Sequence, residues 1–539
     1  MKNTYYYPLL FLGAALLSAC SRQEKPAKPI TAEEIKSHIA VLANDSLLGR
    51  KPFTAGEPKT INYISQQFKK LGLEPGNNGS YFQEVPMVEI TGSPVATMEI
   101  SGGKSPIILN NLTDFVASTR QELDEVELKN SPLVFVGYGI IAPEYHHNDY
   151  AGLDVKGKTV IVLVNDPGFK GDTMTYYGRW TYKYDEAARQ GAAGVIIVHQ
   201  TKEASYPWSV VASSFPGAKL YLQQKDKHLG RCKVEGWITE DAAKKLFSSI
   251  GITDDLRALA RKKDFKAIPL NLNASLTIHN KLKYSTSHNV IATLKGSTNP
   301  GEYIIYTAHW DHLGVGKPDA KGDSIYNGAV DNADGVAALI SMAKAFSEAK
   351  EKPQRSIIFL AVTAEEQGLL GSEYYATHPI YPLNKTIADL NMDALGSYGE
   401  TKDFAITGKG QNELDEYVTK YANAEGDIVV GDRNPIAGSY YRSDHFNFAK
   451  IGVPALDMNN GDNSLAHGEA WGKKQQEDYT AHHYHQASDN YSPEMDASGM
   501  AQVANLLFNV GYQLSNETTY PSWKDGSEFK AIREKSLGK

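Results

Sequence analysis

Histidine and carboxylate side chains occur in this sequence at the ends of apolar segments, where a folded chain could bring them to one site. The set comprises His309, Asp331, Glu365, Glu366, Asp393 and His485. Imidazole and carboxylate donors without a thiolate suit Zn²⁺, and Mn²⁺ or Co²⁺ would also fit them. The residue types therefore predict the centre of a two-zinc hydrolase.

Three apolar segments of strand type lead directly into these residues. Residues 303–308 precede His309, residues 356–362 end just before the Glu365–Glu366 pair, and residues 386–392 precede Asp393. In an open, largely parallel α/β sheet, ligands gather beyond the carboxyl ends of the strands. We therefore expect a mixed, largely parallel central sheet flanked by helices, with the site at one rim of that sheet.

Asp331 lies in residues 328–335, a loop that precedes a segment with apolar residues at helical spacing. At the rim of the sheet its carboxylate could bridge two cations. Either Asp331 or Asp334 could instead cap the helix N-terminus. Because the other candidate ligands are expected at the same rim, we expect Asp331 to bind metal, whereas we expect Asp334 to cap the helix N-terminus.

Asp311 follows His309 by two positions, so the two side chains should point to the same side of an extended segment. A metal-bound imidazole usually donates its second ring N–H to a carboxylate, which makes Asp311 a candidate orienting group with a catalytic role. His312 could compete as a ligand, but its side chain is expected to face the other way.

Glu365 and Glu366 are adjacent acids that need separate tasks. Two unpaired carboxyl groups at a buried rim would repel each other, and one would become protonated. One metal ligand and one general base would resolve the conflict. A solvated acidic turn is the alternative, but the apolar strand before the pair and Gly-Leu-Leu-Gly after it disfavour a solvated turn.

The first twenty residues resemble a bacterial lipoprotein signal. Lys2 precedes an apolar stretch at residues 8–17, and Leu-Ser-Ala ends it at Cys20. We expect residues 1–20 to be a signal peptide, Cys20 to be lipidated, residues 21–30 to form a tether, and the protein to be exported and lipid-anchored to the bacterial cell envelope. A plain secretory signal is the alternative. Only Cys232 then remains in the mature chain, so an intramolecular disulfide cannot form there.

The length of 539 residues favours two folded domains. A formal charge of −8 without a long basic run makes nucleic acid an unlikely partner. Residues 135–139, 149–158 and 187–198 resemble a protease-associated domain, a mainly β/α module. We place this module at residues 129–265, inserted between two parts of a peptidase domain at 31–128 and 266–539.

Residues 309–311, 331–335, 365–372 and 391–396 resemble the motifs of the co-catalytic di-zinc aminopeptidases of bacterial leucyl-aminopeptidase type. The fold implied is that of the zinc exopeptidases. Spacing alone leaves His482, His483 and His485 open as the last ligand. Tyr484–His485 with Ser488–Asp489 matches the family's closing motif, which implies His485. Departures occur at Ala487 and Asp334, where the family commonly has Pro and Ser.

The resemblance also implies the roles at the site. Two zinc ions would be bound per chain, one by His309 and Asp393 and the other by Glu366 and His485. Asp331 would bridge them, and Glu365 would act as general base.

Residues 439–446 resemble the family's pocket-lining segment. Tyr441 and His445 are therefore candidate substrate contacts, although both could simply pack the pocket wall. The implied activity is removal of N-terminal residues from peptides. A carboxypeptidase or glutaminyl cyclase of the same fold is an alternative, and a non-catalytic receptor-like binding protein is an alternative of another class.

Overall fold

The computed structural model describes residues 27–539. The predicted signal peptide with Cys20, and the predicted tether up to residue 26, lie outside the described residues. Among the helices of residues 27–539, none combines the length and apolar character that crossing a bilayer requires.

The chain forms fourteen α-helices and twenty-one strands over the described residues. The helices are α1 (Ala32–Leu42), α2 (Gly56–Lys70), α3 (Trp180–Arg189), α4 (Thr201–Ala204), α5 (Trp208–Ser214), α6 (Glu240–Ser248), α7 (Leu256–Ala260), α8 (Asp334–Ser347), α9 (Leu370–Thr377), α10 (Leu414–Glu425), α11 (His445–Lys450), α12 (Glu469–His482), α13 (Ser498–Asn516) and α14 (Lys530–Ser536). The strands are β1 (Glu74–Pro75), β2 (Phe82–Pro94), β3 (Thr97–Ser101), β4 (Ile107–Asn110), β5 (Phe115–Ser118), β6 (Glu125–Phe135), β7 (Ile141–Ala142), β8 (His147–Asn148), β9 (Thr159–Leu163), β10 (Gly194–His199), β11 (Ala218–Leu222), β12 (Val234–Thr239), β13 (Ile268–Leu294), β14 (Asn299–His309), β15 (Gly314–Val315), β16 (Ile325–Tyr326), β17 (Arg355–Val362), β18 (Thr386–Asn391), β19 (Asp403–Ile406), β20 (Ile428–Val430) and β21 (Ala455–Asn460).

The central sheet has the pairing order β1-β13-β17-β14-β18-β21-β19-β20. Strands β17, β14, β18 and β21 run parallel, whereas β13 and β19 join their neighbours in antiparallel pairs. Every residue of β17 and β18 is buried, which explains the continuous apolar runs in the sequence. The prediction of a mixed, largely parallel central sheet is confirmed.

Helices cover both faces of this sheet. Alternate residues of β14 point in opposite directions: Ile304 and Tyr306 pack into a core shared with α1, α8 and α13, and Ile305 packs into a second core with α9 and α11. Burial of both faces fixes the register of the strands and therefore the positions of the residues that follow them.

An inserted domain forms a second sheet, in which β6, β9, β10 and β12 run parallel and β5 joins β12 in an antiparallel pair. Its core includes Met98 of β3 and Phe115 of β5 together with Phe135 of β6. The first boundary predicted from sequence, between residues 128 and 129, therefore falls inside β6. Strand β3 alternates exposed and buried residues, so it offers no continuous apolar run that would mark the start of the domain.

The long strand β13 connects the two domains. It pairs with β6 and β3 at its start, with β2 along residues 278–290, and with β17 at its end. Strand β11 of the insert also pairs with β2, on the side of the ribbon that β13 does not occupy. This shared ribbon ties the insert to the central sheet and positions it beside the carboxyl rim.

Lys183 of α3 is a strained feature of the inserted domain. Its side chain is fully buried, and its ammonium group has no hydrogen-bond partner among the described residues. Burial lowers the pKa of Lys183 from 10.5 to about 7, although Asp166 and Asp149 act in the opposite direction. A lysine that loses its proton on folding costs free energy at neutral pH.

We expect Lys183→Met to raise the free energy of unfolding at pH 7 by about 2–4 kcal/mol. The unfolded chain binds more protons than the folded one between pH 7 and 10.5, so the contribution of Lys183 makes the wild type more stable as pH rises through that window. The stability difference from the variant should shrink accordingly. Denaturant titrations from pH 7 to 10 measure it, with the exposed Lys202→Met as the control. A difference independent of pH would contradict the assignment.

Candidate metal centre

The carboxyl ends of three parallel strands define the rim. His309 ends β14 and pairs in register with Val362 of β17, and Thr307 pairs with Asn391 of β18. Glu365 and Glu366 follow β17 by three and four residues, and Asp393 follows β18 by two. The parallel register therefore delivers all four side chains to one edge of the sheet.

One group of donors surrounds His309. Its Nε2 atom lies 3.3 Å from Asp331 Oδ1 and 3.3 Å from Asp393 Oδ1. Three ligand atoms from these residues lie within 4.8 Å of one another, a spacing that one metal ion could bridge. The imidazole is only 1% exposed, so its position is fixed by packing.

A second group of donors surrounds His485. Its Nε2 atom lies 3.1 Å from Asp331 Oδ2 and 3.1 Å from Glu366 Oε2. One oxygen of Asp331 thus faces His309 and the other faces His485. The structure brings together all five residues predicted as metal ligands, with Asp331 between the two groups.

His312 also reaches this site, contrary to the sequence-based expectation. Its Nδ1 atom lies 2.6 Å from Glu366 Oε1, and His312, Asp331 and Glu366 form a further group with ligand atoms within 4.8 Å. The expectation was wrong because β14 ends at His309, so the alternation of an extended chain does not continue to residue 312. His312 is placed to fix the orientation of the Glu366 carboxylate or to act as a further donor.

Asp311 contacts His309 in a different way from the one predicted. The His309 Nδ1–H donates to the backbone carbonyl of Asp311 at 3.1 Å, and the carboxylate Oδ1 is 3.8 Å from Nδ1, beyond hydrogen-bond distance. The Oδ1 atom instead accepts from the backbone N–H of Glu365 at 3.0 Å. Asp311 therefore orients the imidazole through its carbonyl and connects the segments carrying His309 and Glu365.

The predicted helix cap at Asp334 is not formed. Asp334 is buried within α8, and its Oδ2 atom accepts from the backbone N–H of Leu395 at 2.9 Å. The cap is supplied by Asn332, whose Oδ1 accepts from the N–H of Gly335 at 2.9 Å. Asp334 is the first residue of α8, so its side chain lies after the cap position and not at it. Asp334 instead anchors the loop that carries Asp393.

Three further residues, for which the sequence predicted no role, hold the metal-binding segments in place. The Arg50 guanidinium is buried and donates to the carbonyls of Leu42, Trp310 and Gly328, which fixes both segments that flank the site. Asp489 accepts from the N–H of Asp331 at 3.1 Å, and the Ser443 hydroxyl donates to Asp393 at 2.6 Å. Asp489 lies in the closing motif after His485 and Ser443 in the segment 439–446, whereas Arg50 has no local signal.

The electrostatics of the site favour a cation. Burial would lower the pKa of the imidazoles, but the facing carboxylates raise the pKa of His309 well above its ordinary value and that of His485 to about 10. Burial, with Glu366 and Asp393, raises the pKa of Glu365 well above its usual range, although His309 acts in the opposite direction. Protons are thus retained because negative charge is concentrated here. Divalent cations would neutralise the same charge, and the donor set fits them.

A cleft lies between the rim and the inserted domain. Glu365, Glu366 and His485 line it from the central domain, and Arg179 and Tyr221 are among the residues that line it from the insert. Its volume of about 690 Å³ falls within the roughly 300–1,000 Å³ of small-molecule sites. The metal centre therefore opens into a space whose opposite wall is the insert.

The two candidate substrate residues occupy different positions. Tyr441 lines the cleft but is only 4% exposed, and its hydroxyl lies 3.1 Å from Glu528 Oε1 and 3.2 Å from the Met174 carbonyl. His445 is fully buried edge-on against Tyr440 and does not line the cleft, because α11 begins there and turns the ring into the core. Wall packing, the alternative stated for this segment, describes His445 and most of the Tyr441 ring.

Two family models match the two domains of this fold. Residues 289–510 match Peptidase family M28, and residues 98–226 match the PA domain. The chain thus has the family M28 peptidase fold with an inserted PA domain, whose match begins upstream of the predicted position 129.

Several curated proteins match parts of the chain. A "Probable zinc metalloprotease" of Pyrenophora teres f. teres is 40% identical over 109 residues, which cover 20% of this chain and 22% of the fungal protein. The "Glutamate carboxypeptidase 2 homolog" of Caenorhabditis elegans is 24% identical over 425 residues, 68% of this chain and 51% of the worm protein. The matches thus span about a fifth to about half of these relatives.

Among solved structures, the aminopeptidase from Aneurinibacillus sp. strain AM-1 is similar at 22% identity and a TM-score of 0.49. The likeness covers 91% of this chain and 96% of that one.

We expect His485→Ala to weaken zinc binding by more than the roughly 10–100-fold that loss of an outer-shell partner costs. The imidazole faces both Asp331 and Glu366, and the other imidazole near these carboxylates, that of His312, is already hydrogen-bonded to Glu366 at 2.6 Å. Calorimetric zinc titration of the chelator-treated protein measures the change. The control is His482→Ala, because His482 is 69% exposed and its nearest carboxylate oxygen, on Asp478, is 3.9 Å away. Equal losses in the two variants would exclude His485 as the ligand.

Proposed function

We propose that this protein is an exported aminopeptidase that uses two zinc ions to remove N-terminal residues from peptides. The observation that carries the proposal is the placement of Asp331, whose two carboxylate oxygens face two separate donor groups about His309 and His485. A single-metal site would need only one of these groups. The family match of residues 289–510 supports the peptidase class.

When bound, two divalent cations supply Lewis acidity for a peptide carbonyl and lower the pKa of a water molecule. His309 and Asp393 would hold one cation, and Glu366 and His485 the other, with Asp331 shared between them. His312 and Ser443 orient Glu366 and Asp393 through hydrogen bonds at 2.6 Å. These contacts leave fewer rotamers to the ligands and so preorganise the donor set.

Glu365 is the residue proposed to move the proton. It lines the cleft next to Glu366, and its backbone N–H is held by the Asp311 carboxylate at 3.0 Å. Burial, with the carboxylates of Glu366 and Asp393, raises the pKa of the Glu365 carboxyl group, although His309 acts in the opposite direction, and the carboxylate is therefore a stronger base than that of an exposed glutamate. Glu365 can therefore take a proton from the attacking water and give it to the leaving amine.

A carboxypeptidase of the same fold remains the second candidate, because a partial relative carries that name. The two activities differ in the end of the peptide that must be free. A receptor-like role without catalysis is less favoured, because a binding protein would not need a complete donor set with an adjacent carboxylate.

We expect Glu365→Gln to retain both zinc ions and to lower kcat by about 10²–10⁴-fold, since the amide cannot accept the proton. Steady-state kinetics with an amino-acid p-nitroanilide and metal analysis measure the two quantities. Glu373→Gln, which neutralises another carboxylate lining the same cleft, is the control and should retain activity. Wild-type turnover of Glu365→Gln with full metal content would remove Glu365 from the mechanism.

We expect acetylation of the peptide N-terminus to abolish cleavage by the full chain, because an aminopeptidase must recognise a free ammonium group. A panel of dipeptides and amino-acid amides, each free and N-acetylated, measures the dependence by amine release. Cleavage of acetylated peptides at the rate of the free ones would assign the protein to another peptidase class.

A further inference from the structure

The cleft wall opposite the metal centre carries an excess of positive charge. Three of its arginines have carboxylate partners within the protein: Arg120 with Glu235 at 2.9 Å, Arg231 with Asp185 at 2.6 Å, and Arg189 with Glu186 at 2.6 Å. These guanidinium groups are structural ion pairs and need no ligand.

Arg179 and Arg442 differ from these arginines. Both line the cleft, and neither side chain forms a hydrogen bond or ion pair with any residue in the range 27–539; Arg442 is exposed, whereas Arg179 is half-buried. The Arg179 Nε atom is buried without a hydrogen-bond partner. A buried donor left unpaired costs free energy, so this guanidinium is placed to receive a partner from outside the chain.

The two arginines come from different domains and line the same cleft. Arg179 precedes α3 of the insert, and its Cδ atom lies 3.5 Å from the position a Cβ of Gly438 would take, in the loop that leads to Arg442. Burial, with the positive charge of Arg442, lowers the pKa of Arg179 to about 10, while Tyr206 and Tyr441 oppose the shift.

The pair also lies towards the metal centre. Both arginines line the same cleft as Tyr484 and His485. The Tyr484 ring stacks on His485 with centroids 3.9 Å apart. An anion held by the two arginines would therefore belong to a molecule that also reaches the centre.

We propose that Arg179 and Arg442 form a carboxylate-binding subsite of the cleft, so that preferred substrates carry a carboxylate at that position. Guanidinium groups bind carboxylates through paired N–H donors, and two of them offset the cost of drawing the anion from water. The proposal rests on the peptidase function proposed above and narrows its substrates to acidic or short peptides. The carboxylate can be the free C-terminus of a dipeptide or the side chain of an acidic residue.

Four peptides separate the two sources. Leu-Gly and Leu-Gly-NH₂ differ only in the C-terminal carboxylate, and Leu-Glu-NH₂ and Leu-Gln-NH₂ differ only in the side-chain carboxylate. The wild-type protein should favour the charged member of at least one pair by about 10–100-fold in kcat/KM, the value of a hydrogen-bonded charge. Preference in the first pair assigns the C-terminus, and preference in the second assigns the side chain.

The variants Arg179→Gln and Arg442→Gln should each remove that preference, mainly through KM, and leave cleavage of the neutral peptide unchanged. Arg189→Gln removes a cation from the same wall that is already paired with Glu186, so it should keep the preference. Melting temperatures of all variants show whether a loss follows from unfolding. Equal losses on charged and neutral peptides in a folded variant would overturn the proposal.

Binding is measured separately from turnover, by calorimetric titration of zinc-loaded Glu365→Gln with the same four peptides. If no peptide is cleaved by the wild type, the proposed function fails, and tighter binding of a charged peptide that Arg179→Gln abolishes would still support the subsite. Cleavage without any preference for a charged peptide would retain the proposed function and overturn the subsite.

Discussion

The concentration of negative charge at the rim is the constraint on which the rest of the site depends. Asp331, Glu366 and Asp393 are held within hydrogen-bond or near hydrogen-bond distance of His309 and His485, and Glu365 lies beside them. Carboxylates gathered in a buried place repel one another unless cations or protons compensate them. The raised pKa values of both imidazoles show the protons that compensate when no cation is bound. Metal ions would take over that task and provide the chemistry.

The fold holds this unfavourable arrangement in place through rigid elements. The parallel strands β14, β17 and β18 fix the backbone before the donors, and their register is secured by burial on both faces. The loops after the strands are tied by Arg50, Asp489 and Asp334, which bind backbone groups rather than metal. The insert, joined through β2 and β13, then closes one side of the space above the rim.

Much of this architecture was accessible from the sequence because its signals are local. Strands β14, β17 and β18 are apolar runs, and a histidine or an acidic residue able to bind metal lies at or just after the carboxyl end of each. The prediction that the His312 side chain faces away from the site failed, because β14 ends at His309 and the alternation of side chains along an extended strand does not continue to residue 312. The cap prediction failed for Asp334, because α8 already begins at this residue and Asn332 supplies the cap. Arg50 had no local signal, since its carbonyl partners on Trp310 and Gly328 follow it by 260 and 278 positions.

The boundary of the inserted domain could not be predicted from local sequence signals either. Strands β3 and β5 belong to it through packing with β6, a tertiary relation that composition does not reveal. The surface of the insert that faces the centre is likewise a product of tertiary structure. Arg179 and Arg442 are 263 positions apart, as their numbers show, and line the same cleft only because the insert lies against the loop that precedes α11.

Zinc titration of the chelator-treated full chain decides whether the charge at the rim is compensated by two cations. Two zinc ions per chain are expected at neutral pH, with release of protons as the imidazoles give up the protons they hold without metal. Asp331 should be essential to both sites, so Asp331→Ala should bind neither ion tightly. Saturation at a single zinc ion, or two tight ions in Asp331→Ala, would contradict a centre built around that carboxylate.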